Sequence, residues 1–346
     1  MKTVFPLVGI VALVWVVVSG SAPQDPGHGL VIGWWNAENL FDTINDPDPV
    51  PEEGSDDEFT PEGRRQWTVE RYDRKLEHLA TVIHRMNGGT GPDLIGFAEV
   101  EHEHVLREMA ARHLSDIGYD VVYHESPDRR GIDVAMMYRK DALRLLSTGC
   151  RIVTGLERPT RDIVFASFAG KAGNLVCIVN HWPSRRGGVA QSESLRVAAA
   201  TVCRQLVDSL LHTDPLMDIV LLGDFNDEPA NRSIAQILRA SLDSTAVKTG
   251  HGALLFDCMA TVMHGKEVGT YRFRDAWDML DQCIVSPGLF DPKGYRFGAV
   301  QIVREEFMLQ DSGKYAGYPF PTYGGSTYLG GYSDHLPLVV TLLGGQ

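Results

Sequence analysis

The chain has 346 residues, 44% hydrophobic and 22% charged, ample apolar material for a full globular core. Its formal net charge of −13 disfavours tight nonspecific binding of nucleic acid through bulk charge, so any polyanionic substrate must be met by bound cations and local arginines. The five cysteines are an odd number, which leaves at least one thiol unpaired within the chain.

In chain order, Lys2 precedes an apolar run, Val4 to Val18, and the small residues Ser19, Gly20, Ser21 and Ala22. That is the pattern of a secretory signal peptide over residues 1–22. The expectation is a secreted or periplasmic protein with no stable membrane association after cleavage. An uncleaved anchor is the alternative, but the run is short for the ~30 Å of a bilayer core. No repeat or low-complexity tract interrupts the rest, so 23–346 reads as a single domain, with a monomer the simplest oligomeric state.

Leu30–Asn36 reads as a strand, and the acidic, proline-containing stretch from Asp42 to Glu62 as a solvated loop, with a calcium site as the rarer reading. Trp67–Met86 places Tyr72, Leu76, Leu79, Ile83 and Met86 at helical intervals. Asp93–Val100 is a strand, followed by a helix to about Ile117. Tyr119–Glu125, Ile132–Arg139, Ile163–Phe168 and Leu175–His181 read as strands with hairpin-type connections. Ser192–His212 is a helix with Leu195, Ala199, Val202, Leu206 and Leu210 on one face. Asp218–Asp224 is a short central strand, and Asp281–Ser286 and Leu336–Leu342 are two more. Cys177 and Cys283 fall in buried strands, Cys203 in a helix, and Cys150 and Cys258 beside loops. Together these imply an α/β fold of two packed mixed β-sheets flanked by helices; the middle of the chain has too few helices for a doubly wound parallel sheet.

Asn36, Glu99, His181, Asp224 and His335 each sit at or beside the end of an apolar strand, a way to place polar groups on the rim of a rigid sheet. One such residue is usually a turn former or cap; five suggest a shared cleft. Glu99, Asp224, Asp281 and Asp334 brought together would repel one another and need a cation, and oxygen-rich sites take Mg²⁺, Mn²⁺ or Ca²⁺. His335 beside acids is suited to general base work if Asp281 holds its tautomer. His181 could supply an acid or a phosphate contact.

Trp35–Asn36, Glu99 in AEV, NHWP at 180–183, GDFN at 223–226, LDQ at 280–282 and SDHLP at 333–337 occur in one order. In that order the chain resembles the endonuclease/exonuclease/phosphatase superfamily, which includes deoxyribonuclease I, neutral sphingomyelinases and inositol-polyphosphate phosphatases. The resemblance covers about residues 30–342 and implies the four-layer α/β sandwich of deoxyribonuclease I. It also implies a metal-dependent phosphodiesterase, most simply an exported endonuclease acting on DNA or RNA. By motif, Glu99 would be the main metal ligand, with Asn36 and Asp334 helping directly or through water. Asp224 and Asn226 would orient water or phosphate. His335 with Asp281 would be a general base or a phosphate-polarising group, and His181 would stabilise the pentacoordinate phosphate or assist the leaving group. His181 replaces the Tyr that abasic-site enzymes tend to carry.

Arg130, followed by Gly131, and Arg185, two residues before Gly187, lie in Gly-containing loops and suit bidentate phosphate binding, although a solvated basic turn has the same composition. Trp34, Trp35 and Trp182 read as core residues more readily than as base-stacking platforms. Two other readings stand beside the nuclease: a phospholipid, sphingomyelin or phosphomonoester hydrolase using the same site, and a catalytically inactive binding module. The second would be expected to have lost some of these acids or His335.

Overall fold

The computed structural model describes residues 29–47, 54–250, 254–264 and 268–345. The expected leader, residues 1–22, lies outside them. The first part of the chain runs β1 (Leu30–Leu40), α1 (Val69–Arg85), β2 (Leu94–Val100), α2 (Glu103–His113), β3 (Tyr119–Tyr123) and β4 (Asp133–Arg139). The middle adds β5 (Arg144–Arg151), β6 (Ile163–Ala169), β7 (Asn174–His181), α3 (Val189–Thr213), β8 (Ile219–Asp224), β9 (Ala240–Ser241) and α4 (Ser244–Thr249). The last part holds β10 (Leu255–Asp257), β11 (Tyr271–Phe273), β12 (Ala276–Asp278), β13 (Asp281–Val285), β14 (Tyr295–Ile302), β15 (Tyr323–Gly324), β16 (Thr327–Tyr328) and β17 (Leu338–Gly344).

Strand periodicity sorts these into layers, because alternate side chains face opposite sides of a sheet. Ile32 and Trp34 of β1 point inward and meet Phe168, Cys177, Leu222 and Cys283 from the other sheet. Trp35, Ile95 and Phe97 point outward under Leu76, Leu79 and Ile83 of α1. On the opposite outer face Ile178, Leu221 and Ile284 lie under Ala199, Cys203 and Val207 of α3. The sheets run β14-β17-β1-β2-β4-β3 and β5-β6-β7-β8-β13-β10-β9, two mixed sheets between helices as the sequence implied. Each is built round a central parallel pair joined through a long helix, β1 with β2 and β7 with β8, the connection that parallel strands require. Among the described residues no helix is long and apolar enough to cross a membrane.

Several local expectations need correction. β5 and β14 were not anticipated; both are edge strands, β5 with no buried residue and β14 with only Tyr295 and Val300 buried, so neither shows the alternation that marks a half-buried strand. Cys150 sits within β5, Cys258 opens a short helical turn, and all five thiols are free. The inner face of α3 is rotated from the expected one: Leu195 is 38% exposed, whereas Arg196 is fully buried and paired with Asp227 at 2.8 Å. A buried acid in the loop after β8 demands a cation, and that pairing sets the rotation.

The acidic stretch is not a simple solvated loop either. Asp56 is buried and accepts the Asp46 N–H. His102 sits with Glu125 3.6 Å from Nδ1 and Asp46 2.8 Å from Nε2. Glu125 foremost, and then Glu101 and Asp46, raise the His102 pKa to about 9 against the opposing effect of burial. A folded-state pKa above the ordinary 6.5 means the stabilisation is complete below about pH 6.5 and is lost as pH rises through about 9. His102→Gln should therefore cost on the order of 1 kcal/mol at pH 6, given the partial exposure of the pair, and much less at pH 10. Urea unfolding of both proteins at the two pH values checks this; an equal cost at both contradicts it.

Candidate active site

The fold gathers the strand-end residues on one rim. His181, Asp224 and Asp281 lie side by side in one row across β7, β8 and β13. In the facing sheet Asn36, within β1, and Glu99, near the end of β2, lie where the parallel pairing of the two strands breaks register. Ligand sites of parallel strands form at their carboxyl ends. The register of β2 slips between Ala98 and Val100 against β4, and this bulge lifts Glu99 out of the ladder. Glu99, Glu38, Asn39 and Asn226 all hold positive φ, at 61°, 53°, 51° and 51°. A non-glycine residue pays on the order of 1–3 kcal/mol for strained backbone of that kind, which clusters where function requires it.

Asp281 is fully buried and spends each oxygen on a different partner. Oδ2 meets His335 Nδ1 at 2.6 Å, and Oδ1 accepts the indole N–H of Trp34 at 2.8 Å. Trp35 donates its indole N–H to the His335 carbonyl, and Ser333 Oγ accepts the His335 N–H while donating to the Asn36 carbonyl. The two tryptophans are thus core residues with a second task, fixing the Asp281–His335 pair. Trp182 is also core, donating to Asn180 Oδ1.

Burial opposes charge on His335, but Asp281 and Asp224 outweigh it and raise its pKa well above the ordinary value. Nε2 of this imidazolium lies 3.8 Å from Asp224 Oδ2. His181 goes the other way: burial, then Arg161 and Arg130, hold it neutral. Its Nε2 lies 3.7 Å from Asp224 and 3.9 Å from Glu99, while its buried Nδ1 has no hydrogen-bond partner among the described residues. Burial raises Asp224 to about 6, with Asp281 adding to the rise and His335 opposing it. Asn226 donates its backbone N–H to Asp224 Oδ1 and its amide to the Trp182 carbonyl, so it braces Asp224 against the NHWP turn.

The donor set fits a hard divalent cation. Burial would raise Glu99, but Arg130 and the Asn39 N–H more than offset it, so Glu99 is held as a carboxylate. Burial, and the charges of Glu99 and Asp224, push the Asp334 carboxyl up despite His335. Asp334 makes no hydrogen bond or ion pair with any described residue. A carboxylate with no direct partner, crowded by Glu99 and Asp224 and offset only through space by His335 and Lys75, suits a further cation, and carboxylate oxygens fit Mg²⁺ or Mn²⁺. Asn36 turns its amide N–H₂ to Glu99 (3.4 Å) and Asp224 (3.1 Å), and its Oδ1 accepts the Glu38 N–H. In this arrangement its amide N–H₂ orients the Glu99 and Asp224 carboxylates. Asp224, Asp281 and His335 also cluster within 4.8 Å of one another, an arrangement able to hold an ion or, through the 2.6 Å Asp281–His335 bond, to handle a proton.

Beneath this rim lies a buried lysine that an amphipathic reading of α1 does not predict. Lys75 Nζ donates to Thr322 Oγ1 and the Tyr332 carbonyl and lies 3.9 Å from Glu38. Glu38 in turn accepts the N–H groups of Thr322 and Tyr323. The pair ties the end of β1 to the segment that leads into Ser333, Asp334 and His335.

The site opens into a cleft of about 850 Å³ that includes Arg65, Arg130, Arg161, Arg185, Arg186 and Arg274. Arg130 reaches Asn39 Oδ1 and sits 3.7 Å from Glu99. Arg185 is pinned by the Asn226 carbonyl and Asn231 and lies 3.6 Å from Asp278. Arg161 was missed in the sequence. It donates to the His181 and Trp182 carbonyls and to Asp128, clamping the turn that carries His181. Arg161→Gln would leave Asp128 buried without its cation, a loss of about 3–5 kcal/mol. Denaturant unfolding measures it; a change within about 0.5 kcal/mol contradicts the clamp.

The model of the Endonuclease/Exonuclease/phosphatase family matches residues 31–343. No curated protein sequence matches the chain. Among solved structures, D. rerio TDP2 complexed with a single-strand DNA product is 13% identical, with a TM-score of 0.56 over 91% of this chain and 98% of that one. A mannosyl-6-phosphatase of Bacteroides thetaiotaomicron is 17% identical, with a TM-score of 0.54 over 90% and 99%. The human Nocturnin catalytic domain with bound sulfate is 15% identical, with a TM-score of 0.55 over 91% and 93%.

Proposed function

The chain belongs to the endonuclease/exonuclease/phosphatase family, and on that premise we propose that it is a divalent-metal-dependent phosphodiesterase, an exported nuclease acting on DNA or RNA. The observation that carries this reading is a cleft rimmed by arginines, in a chain of net charge −13, that converges on the Asp281–His335 pair and an unpaired carboxylate. Local cations around an acidic centre suit a substrate with several phosphates.

Glu99 and Asp334 would hold Mg²⁺ or Mn²⁺, with Asn36 orienting Glu99; the bound ion supplies Lewis-acid stabilisation of phosphoryl charge. Asp224, with a pKa of about 6, is a carboxylate at neutral pH and is matched to taking a proton from attacking water. His335 keeps its charge through Asp281 and offers Nε2–H to a phosphoryl oxygen, which favours the phosphate-polarising role over the general base. Neutral His181, its Nε2 turned to the same carboxylates, is placed to donate to the phosphate or the leaving group.

A phosphomonoester remains the second substrate class, supported by the likeness to a mannosyl-6-phosphatase. The test is a panel of plasmid DNA, single-stranded DNA, RNA, sphingomyelin vesicles and sugar phosphates with Mg²⁺ or Mn²⁺. The nuclease reading expects nucleic acid to have the highest kcat/KM; preference for a sugar phosphate or a lipid overturns it.

A further inference from the structure

One part of the cleft wall takes no part in the chemistry above. The β11–β12 hairpin carries Phe273 and Arg274 to the cleft mouth, and Phe273 is 52% exposed there. Its two-residue tip, Arg274 and Asp275, has φ of 47° and 67°, the type I′ geometry that matches strand twist and gives a stiff turn. The hairpin is also braced from outside. The Arg272 guanidinium lies 4.3 Å from the Tyr318 ring centre and 5.4 Å from that of Trp277, and Tyr318 exchanges hydrogen bonds with Asp275. Its root is registered to the chemistry: Tyr271 bridges to the backbone of His335, and its ring lies 4.8 Å from the imidazole. The backbone that carries Phe273 is therefore tied to the segment that holds His335, and the Arg274 guanidinium lies 5.1 Å from the Phe273 ring centre.

We propose that Phe273 and Arg274 form a binding subsite for the nucleotide flanking the scissile phosphate, the ring stacking on its base and the guanidinium meeting the next phosphate. This rests on the nuclease reading and narrows it to strands whose bases are free to unstack. Every base offers a π face to the ring, whereas a choline headgroup would meet it through its positive charge and would be repelled by the Arg274 guanidinium already 5.1 Å from the ring centre. One ring beside a cation is also far less apolar surface than an interfacial anchor presents.

The experiment compares oligothymidylate with an equally long oligomer of abasic tetrahydrofuran phosphates, which keeps the charges and removes the bases. Wild type should show a KM about tenfold lower for oligothymidylate, in keeping with the strength of base–aromatic stacking. Phe273→Ala should erase that ratio by raising only the oligothymidylate KM, and Phe273→Trp should preserve it. Arg274→Gln should raise both KM values and flatten their salt dependence. Unchanged discrimination in Phe273→Ala overturns the subsite while leaving the nuclease intact. Loss of phosphatidylcholine-vesicle binding in Phe273→Ala with discrimination unchanged reassigns the ring to lipid and likewise overturns it. Wild type that cleaves neither oligomer but hydrolyses a sugar phosphate overturns the nuclease reading, and the subsite falls with it.

Discussion

Replacing His335 with Ala is expected to lower kcat on nucleic acid by about 10²–10⁴-fold, with little change in KM. The imidazole is held on one side by Asp281 at 2.6 Å and through its own carbonyl by Trp35, so its orientation is set before substrate arrives. Asp281→Asn should do nearly as much damage, because it removes the charge that keeps His335 protonated. The Trp34 indole can still donate to the new amide oxygen, so the fold is preserved while the pair is not. Groups that act as a unit give non-additive losses. The double variant should therefore be no slower than about the worse single one. Losses that multiply would show that His335 and Asp281 act independently, contrary to the geometry.

The second large effect is expected at Glu99. Glu99→Gln keeps the shape and the bond from the Asn39 N–H but removes the charge that a divalent ion would meet. Mn²⁺ affinity should fall by more than the ~10–100-fold that loss of a supporting group costs, and Asn36→Ala should fall within that range. Calorimetric Mn²⁺ titration of the two variants and wild type reads this without substrate. Equal affinity in all three would remove Glu99 from the metal site. The direction follows from the surroundings: Asp334 and Asp224 already crowd Glu99, and the cations nearby, Arg130 at 3.7 Å and buried Lys75, are fixed by other partners.

Much of this site was legible in the sequence because it follows from two short-range signals. Polar residues at or beside the ends of apolar strands pointed to Asn36, Glu99, His181, Asp224 and His335, and the ordered motifs joined them to Asn226, Asp281 and Asp334. What was not legible depends on partners far along the chain. Trp34 and Asp281 are 247 residues apart, and so are Lys75 and Thr322, so no local pattern announces either contact. Arg161 precedes an ordinary strand, and its role appears only when β6 lies beside β7 and its guanidinium reaches the His181 carbonyl. The face of α3 was misread for a related reason. Helical periodicity ranks Leu195 above Arg196, but the buried carboxylate of Asp227 selects the arginine. Edge strands β5 and β14 escaped because half their residues face water.

The most direct test is the rate of oligonucleotide hydrolysis by purified protein after EDTA treatment, and again after Mg²⁺ is restored. A metal-dependent phosphodiesterase should lose activity with EDTA and regain it with Mg²⁺, and the Glu99→Gln variant should regain little at the same concentration. Cleavage that continues in EDTA, or full recovery by Glu99→Gln, would contradict a metal-dependent phosphodiesterase built on this cleft.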